Sequence, residues 1–176
     1  SKSWERYTLK DKKNFPENAF GVLMSFSRFS PYYSNFQNEV YEASVNIKRS
    51  PLAYDRISEF TQCKIFYAFN EKPFVIKLSY HDQIADADII PARRNLNVLN
   101  WSVPDDLNEL TISFQGDHSP NIYGIALDGK QGVALDNIPL RGSRGTDFTK
   151  TDTRFYKKML QELNVKLIIL HFGVNV

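Results

Sequence analysis

Apolar and polar residues alternate with a period of two along most of the first 128 residues. In residues 41–48, for example, Tyr41, Ala43, Val45 and Ile47 are separated by polar side chains, and similar runs occupy residues 62–69, 74–80 and 109–114. Successive side chains of a strand point to opposite faces, so each run predicts a half-buried antiparallel strand. Turn-forming Pro, Gly, Asn and Asp residues separate the runs. Eight or nine such strands predict a β-sandwich, of which the jelly roll is one form.

The pattern changes after Gly129. Residues 131–136 form a short apolar run, and residues 165–172 form a nearly continuous one, which is typical of a parallel strand that is covered on both faces. Strand, helix and strand would make a βαβ unit here.

A helix is predicted between these two runs. Thr151 or Asp152 can cap its N-terminus, and Asn164 can end it. Apolar residues recur at helical spacing between these limits, at Phe155, Met159, Leu160 and Leu163. The chain is therefore expected to hold a sandwich in residues 1–128 and a partial α/β unit in residues 129–176.

Composition excludes several classes of protein. The chain of 176 residues has 22 Lys and Arg against 20 Asp and Glu, so a dedicated nucleic-acid-binding protein, which normally has a strongly basic face, is not expected. No stretch approaches the ~20 consecutive apolar residues of a membrane-spanning helix. The single cysteine, Cys63, excludes an intrachain disulfide and a zinc site with several cysteines.

The histidines and acidic residues do not predict a catalytic or metal site. His81 has no partner at metal-ligand spacing, and His171 lies in an apolar run, where a neutral, hydrogen-bonded core histidine is expected. Asp117, His118 and Ser119 are consecutive, so they cannot align as a catalytic triad. The acidic pair at residues 86 and 88 is a weak calcium signal, and an exposed strand or loop is the simpler explanation. We therefore expect neither a metal nor a cofactor.

Two loops of the predicted α/β unit carry better candidates. Ligands bind at the carboxyl ends of strands in an open α/β sheet, and residues 136–143 and 170–175 each follow a predicted strand. The first loop offers the backbone N–H of Gly142, and the second offers the side-chain amide of Asn175. Two such donors directed at one point would form an oxyanion hole for a tetrahedral intermediate.

These loops resemble the SGNH/GDSL hydrolase superfamily. Residues 137–142, Asn-Ile-Pro-Leu-Arg-Gly, are similar to the second conserved block of that family, and residues 173–175, Gly-Val-Asn, are similar to the third. The family's nucleophilic Ser lies in a Gly-Asp-Ser motif and its catalytic His in an Asp-x-x-His motif, and neither motif occurs in this chain. Val176 also stands where the family usually has Asp.

The resemblance implies a function for a longer parent protein. A sandwich placed before the second block is similar to the insert of bacterial SGNH acylhydrolases that remove acetyl groups from peptidoglycan or other carbohydrates. Residues 1–128 would then be the insert, and residues 129–176 part of a serine ester hydrolase, with Gly142 and Asn175 as oxyanion donors. A periplasmic or secreted location is implied, the substrate would be a carbohydrate ester, and this segment alone should not catalyse.

The resemblance also implies an incomplete sheet. In the family, the strand that carries the Ser lies between the two strands predicted here. Without it, the backbone groups of residues 131–136 and 165–172 lack a central partner. We expect these residues to be rearranged, to be completed by another chain through self-association, or to pair in a way foreign to the family.

A non-catalytic alternative stays open. The sandwich could be a carbohydrate-binding or interaction module in which Trp4, Tyr32, Tyr33 or Trp101 stacks on sugar rings, although the same residues could equally fill the core. Nucleic-acid binding through the basic residues of 141–158 is a weaker hypothesis, because the chain is close to neutral.

Overall fold

The computed structural model describes residues 4–11, 15–32, 39–50, 59–138 and 145–171. Within these residues, two antiparallel sheets form a sandwich, which confirms the predicted fold class. The strands are β1 (Glu5–Thr8), β2 (Ser25–Arg28), β3 (Tyr41–Lys48), β4 (Gln62–Ala68), β5 (Phe74–Tyr80), β6 (Gln83–Ile90), β7 (Asn97–Ser102), β8 (Glu109–Gly116) and β9 (Asn121–Asp128). A 3-10 helix (Thr146–Lys150) and helix α1 (Thr153–Glu162) follow the last strand.

The two sheets differ in size and in strand order. The five-stranded sheet has the order β1-β2-β9-β4-β7, and the four-stranded sheet has the order β3-β8-β5-β6. The pairing registers follow the alternation in the sequence. Ala43 is opposite Phe114, and Phe114 is opposite Ile76, so apolar residues of adjacent strands share the inner face.

The main core lies between the sheets. Strand β4 contributes Cys63, Ile65 and Tyr67 to it from one side. The facing strands β5 and β8 contribute every second residue, namely Phe74, Ile76, Leu78, Leu110, Ile112 and Phe114. Each of these residues is almost inaccessible to solvent, which explains why the period-two pattern is strongest in these strands.

A second apolar cluster covers the outer face of the five-stranded sheet. Outward-facing Phe66 and Tyr123 pack there beneath residues 15–26 and helix α1. The helix approaches closely at Gly21, which has a φ of 65°, and a Cβ there would lie 2.8 Å from the Met159 Sδ. The middle of the five-stranded sheet is therefore covered on both faces, whereas no apolar cluster covers the outer face of the four-stranded sheet within the described part of the chain.

Helix α1 begins and ends as predicted. The Asp152 carboxylate accepts a hydrogen bond from the Phe155 N–H at 2.7 Å, so Asp152 is the N-cap. Thr151, the other candidate, instead accepts from the Phe20 N–H through its buried hydroxyl. Asn164 takes a φ of 54°, its N–H bonds the carbonyl of residue 161, and the N–H of residue 165 bonds the carbonyl of residue 160. These bonds make a Schellman motif.

The two strands predicted beside this helix are not formed. Residues 131–138 and 165–171 belong to no sheet, and most of their side chains are exposed. A strand needs a partner for its backbone groups, and neither segment lies in a ladder within the described part of the chain. The prediction of a βαβ unit is therefore wrong for residues 131–138 and 165–171, and the expected completion of the sheet by another chain stays a prediction. In the described ranges, no helix combines the length and apolar character needed to cross a membrane.

Candidate functional site

The predicted oxyanion residues cannot be placed relative to each other. Gly142 and Asn175 both lie outside the described residues, so the oxyanion hole stays a prediction. Among the residues that the structure describes, no group of three or more His, Cys, Asp or Glu side chains is arranged to hold a metal ion.

The segment Asp117-His118-Ser119 is a structural loop between β8 and β9. The buried Ser119 hydroxyl accepts a hydrogen bond from the Phe29 N–H at 3.0 Å and donates to the carbonyl of Pro120 at 2.8 Å. With both roles taken within the backbone, this hydroxyl is a loop anchor. The sequence-based rejection of a triad agrees with this arrangement.

His118 contacts a buried arginine at this end of the sandwich. Arg28 is only 2% exposed, and its guanidinium donates to the Asn121 side-chain oxygen at 2.8 Å and lies 3.3 Å from the His118 Nε2. Since arginine can only donate, this Nε2 must accept, which requires a neutral imidazole with its proton on Nδ1. Burial, followed by the Arg28 charge, lowers the pKa of His118, against an opposing effect of the nearby Glu71 and Asp117 carboxylates.

Of the aromatic residues proposed for sugar stacking, Trp101 is a core residue, and Trp4 and Tyr32 are partly buried. Trp101 is 4% exposed, and Trp4 packs edge-on against Phe114 with ring centroids 5.3 Å apart. Tyr32 packs against Phe15 at 4.9 Å, and Tyr33 lies outside the described residues. Burial excludes Trp101 from stacking on a sugar, and the rings of Trp4 and Tyr32 are held by neighbouring aromatic side chains.

The open face of the four-stranded sheet is the best candidate for a binding surface. The paired registers place Ser44 opposite Ser113, and Ser113 opposite Lys77. The neighbouring row runs through Asn46, Thr111 and Ser79. Hydroxyl, amide and charged side chains thus form a continuous polar surface across β3, β8 and β5, which we call the polar face. Its members are Glu42, Ser44, Asn46, Lys48, Lys77, Ser79, Glu109, Thr111, Ser113 and Gln115.

Hydrogen bonds between neighbouring strands hold several side chains of the polar face in place. The Asn46 amide nitrogen donates to the Glu109 carboxylate at 2.7 Å and to the Thr111 hydroxyl at 3.0 Å. The Gln115 amide donates to Glu42 at 2.6 Å. The hydrogen bond from Asn46, together with Lys48 at 3.1 Å, lowers the pKa of Glu109. The amide oxygens of Asn46 and Gln115 stay oriented as acceptors, because their NH₂ groups are held by these bonds.

An aliphatic strip borders the polar face along β6. Ile89 is opposite Val75, Ala87 is opposite Lys77, and Ile84 is opposite Ser79, so these residues share the outer surface. Ile84 and Ile89 are 62% and 75% exposed. The surface therefore passes from acidic and amide groups on β3 and β8 to exposed methyl groups at the edge strand.

The polar residues of this surface are visible as alternating positions in the sequence. The sequence-based predictions of a site nevertheless named other residues, Gly142 and Asn175 and the aromatic side chains. The members of the polar face are polar positions of the alternating runs in β3, β5 and β8, and alternation alone indicates only that such positions face solvent. Their cross-strand pairing depends on strand order, which periodicity does not specify.

Comparisons with known proteins add little to this geometry. No family model matches the chain, and no curated protein sequence does. A solved structure described as "CBM4 structure and function" is similar, with 12% sequence identity and a TM-score of 0.32, over 59% of this chain and 69% of that chain. This likeness is too loose to support an argument about function.

Proposed function

We propose that the sandwich is a carbohydrate-binding module and that its ligand lies on the polar face. One observation carries this proposal: no apolar cluster of the described residues covers the polar face, and the Asn46 and Gln115 amides on it are fixed by cross-strand hydrogen bonds. Sugar hydroxyls both donate and accept hydrogen bonds, so they suit a surface that mixes hydroxyl, amide and carboxylate groups. Fixed side chains also lose less conformational entropy when a ligand binds.

The aliphatic strip supports the same proposal. A pyranose ring has apolar C–H faces in addition to its hydroxyls, and Ile84, Ile89 and Val75 offer methyl groups beside the polar rows. A glycan that crosses from β3 to β6 would meet hydrogen-bonding groups first and apolar groups at the edge. Binding without aromatic stacking would be weak, and soluble oligosaccharides or polysaccharides of several units are the appropriate ligands.

Calorimetric titration of the chain with a panel of polysaccharides tests the proposal. Asn46→Ala and Gln115→Ala should each weaken binding about 2- to 10-fold, the equivalent of one hydrogen bond of about 0.5–1.5 kcal/mol. Asn100→Ala is the matched control, because this exposed amide lies on β7 of the other sheet. Absence of binding across the panel would refute the function, and an equal loss in the control would refute the assignment to the polar face.

A specific observation favours a second function for residues 129–176. The apolar runs at 131–136 and 165–170 flank a well-formed helix and are exposed, as expected for strands that lack their sheet. We therefore also propose that these residues belong to an SGNH-type ester hydrolase, in the periplasm or secreted, that removes acyl groups, with acetyl as the first candidate, from a carbohydrate. The sandwich would position or bind the substrate.

Hydrolysis of an acetyl ester reporter by the full-length natural protein tests this second proposal. Asn175→Ala should reduce the rate about 100- to 1,000-fold if its amide is an oxyanion donor. Asn100→Ala is a suitable control, because Asn100 is an exposed amide on strand β7 and has no proposed role in catalysis. Full activity of the Asn175→Ala protein would exclude this residue as a donor.

A further inference from the structure

Lys77 lies near the centre of the polar face. It is on β5, between β8 and β6, and its side chain is partly buried. Within the described residues, its ammonium group forms neither an ion pair nor a side-chain hydrogen bond. Lysines on edge strands protect a sheet against aggregation, but β5 is an inner strand, so that role does not explain Lys77.

The two aspartates of the adjacent strand β6 do not face Lys77. Asp86 is opposite Leu78, and Asp88 is opposite Ile76. Leu78 and Ile76 belong to the core between the sheets, so both aspartates lie on the inner side of the four-stranded sheet. The residue of β6 that is opposite Lys77 is an alanine.

The two glutamates of the polar face are distant from Lys77. Glu42 is on β3, two strands from β5, which corresponds to about 10 Å across the sheet. Glu109 is on β8, about 13 Å along that strand from Ser113, which is opposite Lys77. Glu109 is also paired with Lys48. Lys77 therefore carries a positive charge that no carboxylate of the described surface pairs with.

Hydroxyl groups continue the row that begins at Lys77. Ser113 is opposite Lys77, and Ser44 is opposite Ser113. Neither hydroxyl makes a hydrogen bond within the part of the chain that the structure describes. In the rows on either side, Asn46 and Gln115 use their amides to bind neighbouring carboxylates. The middle row thus offers three groups that are free to donate, one of them charged, and such a row suits an anionic acceptor.

We propose that Lys77 binds the carboxylate of a uronic acid residue in the glycan, with Ser113 as a second donor. This inference rests on the carbohydrate-binding function proposed above for the polar face. Ala87 lies beside Lys77 on β6, and Val75 is its neighbour on the same face of β5. Their methyl groups reduce the contact of the ammonium group with water, which strengthens its attraction to a carboxylate.

The charges on the polar face also limit how acidic the glycan can be. Glu42 and Glu109 would repel a polymer that carries a negative charge on every sugar, such as a sulfated polysaccharide. Lys77 is matched by one carboxylate. The expected ligand is therefore a largely neutral glycan with occasional uronate groups.

Calorimetric titration with matched polysaccharides tests the inference. Glucuronoxylan and gum arabic are largely neutral glycans with occasional glucuronate groups, and their carboxyl groups can be reduced chemically to primary alcohols. At low ionic strength, the acidic form of at least one of them should bind about 3- to 10-fold more tightly than its reduced form. This preference should shrink in about 0.5 M NaCl, because salt screens the charges.

Variants of Lys77 identify the charge that is responsible. Lys77→Gln should bring the ratio of the two dissociation constants to about 1, whereas Lys77→Arg keeps the charge and should keep most of the preference. Lys157→Gln is the matched control, because it removes the same charge from an exposed position of helix α1, outside the polar face. It should keep the full preference.

The outcomes separate this inference from the proposed function. Equal binding of the acidic and reduced forms would overturn the role of Lys77 and leave the carbohydrate-binding function standing, as would binding of neutral polysaccharides alone. A preference that persists in Lys77→Gln, or that is lost equally in Lys157→Gln, would also overturn it, since the carboxylate would then be recognised elsewhere. Absence of binding to every polysaccharide would refute both.

Discussion

The Met159 side chain attaches helix α1 to the sandwich, and its truncation should destabilise the whole fold. Met159 is 2% exposed in the second apolar cluster, and its sulfur accepts a hydrogen bond from the Val22 N–H at 3.4 Å. Met159→Ala removes buried atoms, leaves a cavity and removes the acceptor for that N–H. Substitutions of this kind cost about 2–5 kcal/mol, and we expect about 3 kcal/mol here.

Urea denaturation followed by tryptophan fluorescence measures this effect. Trp4 and Trp101 pack on the core between the two sheets, so their signal reports on the sandwich and not on the helix. Met159→Leu keeps most of the volume and should cost less than about 1.5 kcal/mol. Lys157→Ala changes an exposed residue of the same helix and should stay within about 0.5 kcal/mol of the unaltered protein.

The reasoning fails if Met159→Ala has the same midpoint as Lys157→Ala. The helix would then contribute nothing to the stability of the sandwich, and the second apolar cluster would not be a cooperative part of the fold. The expectation is also contradicted if the Met159→Ala protein loses its helical circular dichroism at a lower urea concentration while its tryptophan transition stays unchanged. Helix α1 would then unfold without affecting the sandwich.

Four further outcomes follow from the structure. Asp152→Ala should reduce the free energy of unfolding by about 1 kcal/mol, because it removes the N-cap of helix α1, and thermal denaturation would show it. Gly21→Ala should cost at least about 1–2 kcal/mol by the same measurement, since the residue has a φ of 65° and no room for a Cβ. The pKa of His118 is lowered in the folded state, so the free energy of unfolding should be highest above pH 6.5, the ordinary pKa of histidine, and should fall as the pH drops below 6.5. In the His118→Gln protein, the urea midpoint should depend less on pH in this range. Burial raises the pKa of Cys63 to about 12, so a disulfide reagent at pH 8 should label it only on unfolding, and rapid labelling of the folded protein would contradict the buried position.

Local patterns predicted the sandwich well, because the core between the sheets uses every second residue. The ends of helix α1 could also be predicted from the sequence, because the hydrogen bonds of Asp152 and Asn164 join residues that are close together in the chain. The second apolar cluster was not predicted. Phe15, Phe20 and Val22 lie in a segment without regular structure. No helical or strand periodicity in the sequence therefore indicates that they cover a sheet.

The candidate site was also beyond the reach of local sequence patterns. The apolar runs around helix α1 favour strands locally, but a strand forms only where a distant segment supplies hydrogen bonds, and composition does not report that partner. Trp4 and Trp101 could not be assigned to core or surface by residue type alone. Cross-strand pairs such as Asn46 with Glu109 depend on the order β3-β8-β5-β6, which is a property of the whole chain.

The outer face of the five-stranded sheet is covered by two segments that lie far apart in the sequence, residues 15–26 and helix α1. The hydrogen bond from the Phe20 N–H to the Thr151 hydroxyl joins residues 131 positions apart, and Met159 reaches Val22 across 137. Contacts of such separation slow folding, because a long loop must close before they form. During synthesis, the outward side chains of Phe66 and Tyr123 stay uncovered until helix α1 has left the ribosome. The nascent sandwich is therefore most prone to aggregation before helix α1 has formed.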